Sequence, residues 1–182
     1  MIMLGRFSAM GVLILASMSF AAGVHVHGEG ALQVAVEGQV VDMVLTLPAM
    51  DVVGFEGPPD TDLKQKQIDD AVTRLKSGDE VFLFPEAAAC VASSVAISGD
   101  QVNHRNGHSR PDHSLDPDNG HADFVTHYQF RCGRVDALNR IELRLFHWLP
   151  EVALRVEMIT AAGARFARLN YRSPVMEVPV SP

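Results

Sequence analysis

The sequence predicts an α+β domain built mainly on antiparallel β-sheet, sandwich-like in its layering, with one amphipathic helix and a histidine-rich loop. Three observations predict it. Short runs of alternating apolar and polar residues recur from Leu32 to Tyr171, the two-residue period of half-buried strands. Only one stretch, Leu63 to Leu75, carries a helical period, and no strand–helix–strand alternation surrounds it as a parallel sheet would require. Between residues 99 and 120 the chain turns polar and carries Gly107, Pro111, Pro117 and Gly120 with no hydrophobic period, which predicts an exposed, mobile loop. A β-sandwich covered by a single helix is the neighbouring architecture.

Taken in order, the first 24 residues read as an export signal. Arg6 supplies a positive start, Phe7 to Phe20 is largely apolar, and Ser19-Phe20-Ala21 offers small residues for cleavage. That apolar run is about 14 residues, short of the roughly 20 that a spanning helix needs. Residues 25–182 are then expected to form one domain, large enough to bury a substantial core. Leu32, Val34 and Val36, the turn Glu37-Gly38, and Val41, Met43, Leu45 and Leu47 predict a β-hairpin. Pro48 to Thr61 is rich in Gly and Pro and is expected to be a connecting loop anchored by Val52, Val53 and Phe55. The helix follows, with Leu63, Ile68, Val72 and Leu75 on one face, Asp60 or Thr61 as N-cap and Gly78 beyond its last turn. Strands are expected at Val81 to Phe84, Val91 to Ile97, around Phe124, Tyr128 and Phe130, then at Ile141, Leu143 and Leu145, at Val152 to Met158, and at Phe166 to Tyr171.

Lys and Arg number 15 against 22 Asp and Glu, with no basic stripe, so nucleic acid is excluded as a natural partner and cations are favoured as ligands. Cys90 and Cys132 are the only cysteines. In an exported chain they are expected to form a disulfide, closing a loop of about 43 residues, worth roughly 3–4 kcal/mol by chain entropy and tethering both ends of the histidine-rich segment. A Cys2His2 zinc site would need the C-x2-4-C spacing that is absent here.

Seven of the eight histidines fall in two places: His25 and His27, and His104, His108, His113, His121 and His127. Imidazole is the commonest nitrogen ligand for zinc, and so polar a loop has no core in which to bury it. On an extended backbone His25 and His27 share a face and form a pincer. His121 and Asp123 are face neighbours by strand parity, whereas His127 lies two pleats further, about 13 Å, and would need a bulge or a separate site. His104, His108 and His113 have loose spacing suited to a mobile second site. His127 and His147 stand in apolar strand contexts, where packing competes with ligation. Copper is disfavoured because Met43, Met50, Met158 and Met176 are scattered, while nickel and Cu(II) share the ligand type. Affinity should fall as pH drops through about 6.5, where imidazoles protonate. No G-x-S-x-G elbow, H-E-x-x-H, P-loop or dinucleotide fingerprint occurs, so no enzyme is predicted.

The segments HVHGEGALQVAVEG, LPAMDVVGFEGPPDT, FPEAAAC, GHADFVTHYQFRC and RLFHWLP, in this order and with a histidine-bearing loop between the third and fourth, resemble the ZrgA-like periplasmic zinc-binding proteins. The resemblance covers the chain beyond residue 24, and PAMDVVGFE and H-x-D-F-x5-F-x-C are its most specific parts. It implies an auxiliary zinc binder of the Gram-negative periplasm, associated with zinc uptake or buffering and handing Zn²⁺ toward an inner-membrane importer, with His25, His27 and the loop histidines as ligands. Relatives often carry longer His and acidic tracts in the loop, and often a His where this chain has Gly57 after Phe55-Glu56. The rival expectation is a periplasmic structural or partner-binding module with incidental histidines.

Overall fold

The computed structural model describes residues 27–99, 102 and 122–179. The expected signal segment, His25, His104, His108, His113 and His121 lie outside the described residues. The chain opens as the predicted hairpin, β1 (Glu29–Glu37) and β2 (Val40–Pro48), paired antiparallel from Ala31 opposite Thr46 to Glu37 opposite Val40. Leu32, Val34, Val41, Met43, Leu45 and Leu47 turn inward and are buried, as the two-residue period requires.

Three helices follow among the described residues, where one was expected. The first, α1 (Ala49–Val53), occupies the stretch predicted to be a loop. Five residues show no recognisable period in sequence, and only Pro48 immediately before them and Asp51 in the first turn mark the start. Gly54 closes it in the left-handed conformation, its N–H donating to the Met50 carbonyl at 2.9 Å. The second, α2 (Asp62–Lys76), is the predicted helix, with the Thr61 hydroxyl capping the Lys64 amide. Ile68, Ala71 and Leu75 are its buried face, whereas Leu63, in the exposed first turn, is 69% exposed and adds nothing to the core.

The remaining elements are a one-turn helix α3 (Gly78–Val81), then β3 (Phe82–Leu83), β4 (Cys90–Ser98), β5 (Asp123–Cys132), β6 (Arg140–Leu143), β7 (Ala153–Thr160), β8 (Gly163–Leu169) and β9 (Val175–Glu177). The predicted strand through Leu145 stops at Leu143, and Arg144–His147 is a 3-10 turn. Leu145 and Phe146 are both buried, which breaks the one-in, one-out alternation of a half-buried strand.

Six strands form one sheet in the order β4-β5-β2-β1-β7-β8, and β3-β6-β9 form a second. The fold is therefore the expected α+β, sandwich-like arrangement of mostly antiparallel sheet. Among the described residues the one parallel pair is β1 with β7, which puts the first described strand in the middle of the large sheet. The inner face of that sheet, α2 and the smaller sheet share one apolar core, while the outer face carries Gln33, Asp42, His127 and Phe166 toward solvent. Cys90 and Cys132 are bonded, directly opposite one another on β4 and β5 with Cα atoms 3.8 Å apart. The bridge closes the end of that strand pair remote from Ser98 and Asp123, about 30 Å along β5 from Asp123. The ends of the histidine-bearing segment are therefore held by the β4–β5 ladder, where Ser98 faces Val125, and the disulfide tethers them only indirectly.

Candidate metal-binding corner

One corner of the large sheet gathers residues from three distant parts of the chain. Gly28, just before β1, is held on both sides: its N–H donates to Asp51 Oδ2 at 2.8 Å, and its carbonyl accepts from the Ala153 amide at 2.8 Å. Its φ of 79° is the left-handed conformation that glycine adopts without strain. His27 immediately precedes this clamp. The Gly54 cap turns the chain back after α1, Phe55 lies beneath Lys64 Nζ at 5.2 Å from the ring centroid, and Glu56 then stands near the imidazole. His27 Nε2 and Glu56 Oε1 are 3.9 Å apart.

That separation fits a shared tetrahedral ion. Zinc bonds of about 2.0–2.2 Å to nitrogen and oxygen, meeting near the tetrahedral angle, set those two atoms about 3.4 Å apart. The pair stands about half an ångström wider than that, a gap that movement of the His27 side chain, 57% exposed, would close.

The third segment enters at the base of β5. Ala49 at the start of α1 donates its N–H to the Ala122 carbonyl at 2.7 Å, so the residue after His121 touches the same five-residue helix whose Asp51 holds the residue after His27. Ala49 and Asp51 are two positions apart in that helix, about 5.5 Å between Cα atoms. Asp123 lies opposite Pro48. The β1–β2 register, continued two residues beyond Ala31 and Thr46, brings Glu29 to the other side of Pro48. Asp123 and Glu29 therefore end one cross-strand row, two strand spacings or about 10 Å apart. Glu29 is itself engaged by Arg168 Nη1, with Arg155 Nε at 3.9 Å.

The other sequence candidates separate. His127 stands on the outer face of β5 between Val44 of β2 and Ala96 of β4, exposed rather than packed. It shares that face with Asp123 but lies four residues, about 13 Å, along a strand that pairs without interruption from Pro48 to Val40, so the two do not meet at one ion. His147 is exposed on its 3-10 turn, so the packing expected of it is not what it does. Among the described residues no group of three His, Cys, Asp or Glu side chains is assembled closely enough to hold a metal. Asp51 and Glu56 were absent from the sequence-predicted ligand set. Their signals were faint: an acid in the first turn of an unrecognised helix, and an acid beside the position where similar proteins carry His.

An imidazole facing a carboxylate, His27 with Glu56, is a pair of donor types that suits a divalent cation. The chain matches the model of the ZrgA family of zinc uptake proteins over residues 24–178, which is most of its length, and it belongs to that family. No curated protein matches it. This is not an enzyme family, and its zinc association agrees with the donor types at the corner. Among the described residues no helix is long and apolar enough to cross a membrane.

Proposed function

We propose that this chain is a periplasmic zinc-binding protein that assists zinc uptake or buffers the ion, passing Zn²⁺ toward an inner-membrane importer. Its fixed site lies at the sheet corner, with His27 and Glu56 as described donors, His25 and His121 joining from the adjacent segments, and Asp123 beside them. His104, His108 and His113 form a second, looser site, and His127 contributes at most to a separate one. The observation that supports this reading best is the sharing of α1: the residues that follow His27 and His121 are both hydrogen-bonded to that helix, although 94 positions separate the two histidines in the chain. Family membership supports zinc as the ion, and the export signal expected over residues 1–24 together with the disulfide supports an oxidising compartment.

Titration of residues 25–182 with Zn²⁺ at neutral pH, followed by calorimetry, tests the reading. Binding is expected, weakened at least tenfold by His27→Ala and by Glu56→Ala. Heat no greater than dilution, or full affinity in both variants, would reject the corner as the site. Unchanged stoichiometry when His104, His108 and His113 are replaced together would reject the second site.

A further inference from the structure

We infer that Asp51 is a positioning residue for zinc capture: it acts through the backbone of Gly28 to hold His27 against Glu56 before any ion arrives. This rests on the zinc reading above and adds to it a residue that the ligand set does not require. Residues just ahead of a first strand ordinarily fray, because nothing fixes their backbone. Here the last residue before β1 is held at both its polar groups, by Asp51 Oδ2 on its N–H and by the Ala153 amide on its carbonyl, at 2.8 Å each. The Gly28 N belongs to the peptide unit that begins at His27, so fixing it fixes where the His27 Cα can stand. The next residue is held as well, through Glu29 and Arg168.

The carboxylate is well placed for this work. Asp51 sits in the first turn of α1, whose own start is tied to β5 through Ala49 and Ala122, so its anchor does not depend on the segment it orders. A charge-assisted N–H to carboxylate bond is stronger than a neutral one. With the imidazole already 3.9 Å from Glu56, the ion meets a half-formed site and the cost of ordering the segment is not charged against binding. Outer partners that orient a metal ligand typically contribute 10- to 100-fold in affinity.

Two substitutions separate positioning from ligation. Asn keeps an oxygen that accepts the Gly28 N–H but loses the charge, whereas Ala loses both. Zinc affinity is measured by competition with a chromophoric chelator, alongside hydrogen exchange of the Gly28 amide in the zinc-stripped protein. Asp51→Asn is expected to stay within about threefold of wild type with the amide protected, and Asp51→Ala to lose at least tenfold with the amide exchanging freely. The proposal is overturned if Asp51→Ala binds as tightly as wild type, or if Asp51→Asn is as weak as Asp51→Ala, which would make the carboxylate a ligand. A wild type that binds no zinc sinks the zinc reading itself and this role with it; wild-type binding with Asp51→Ala unimpaired sinks this role alone.

Discussion

Tyr128 shows how a single side chain holds the layers together. Its hydroxyl donates to the Leu75 carbonyl at 2.7 Å, satisfying one of the acceptors that the last turn of α2 leaves without a partner in the helix. Its ring meets Phe82 edge-on, with centroids 5.1 Å apart, so one residue joins the large sheet, the helix and the smaller sheet. Tyr128→Phe should therefore destabilise the fold by about 1–2 kcal/mol in urea unfolding, because the ring remains and the buried carbonyl loses its donor. Burial also pushes the Tyr128 phenol well above the ordinary tyrosine range. The sign follows from that direction. The folded state keeps the proton longer than the unfolded chain does, so stability is intact below the unfolded value near 10 and is lost as pH rises beyond it. Tyr128→Phe should flatten this alkaline loss, and an unfolding free energy with the same slope above pH 10 in both proteins would contradict the assignment.

Among the elements, β1 lies between β2 and β7 and is approached closely by both at Gly30. A Cβ at Gly30 would stand 2.7 Å from the Thr46 carbonyl oxygen and 2.8 Å from Leu154 Cδ2, contacts that real side chains do not make. Gly30→Ala should cost about 1–3 kcal/mol through overpacking, measured by thermal or chemical unfolding, and a neutral result would mean that the strand can shift in its slot. The legible and illegible parts of the fold divide on how far apart the interacting residues are. The first hairpin, α2 and the facing of β5 were readable because each writes its period over seven or more neighbouring residues. The pairing of β1 with β7 was not, since no local pattern specifies a partner more than a hundred residues away. The helix α1 was missed for the opposite reason, being shorter than two turns. The corner was affected by both limits. His27 and Asp123 are visible as residue types in suggestive places, yet Asp51 and Glu56 matter only because α1 and its Gly54 cap carry them to His27, and the Gly- and Pro-rich composition of that segment predicts a loop.

At the scale of the molecule, the corner is built from residues 27–29 at the head of β1, from 49–56 after β2, and from 122–123 at the head of β5, so it exists only while the large sheet is assembled. An ion bound there must stabilise the whole fold, because the unfolded chain scatters its donors. At free zinc a hundredfold above the dissociation constant, linkage gives about 2.7 kcal/mol, which in a domain of this size raises the melting temperature by roughly 5–10 °C. The disulfide provides an internal control for that shift. It lies about 30 Å along β5 from the corner, beyond the range at which substitutions usually couple. The double substitution Cys90→Ser with Cys132→Ser should lower baseline stability by about 2–4 kcal/mol yet leave the zinc-induced rise in place. His27→Ala should do the reverse, leaving the metal-free melting temperature within a few degrees of wild type while removing most of the rise. Scanning calorimetry of the three proteins with zinc and with chelator decides it. If the cysteine variant loses the zinc response and His27→Ala keeps it, zinc is held near the disulfide end of the sheet and the corner is not its site.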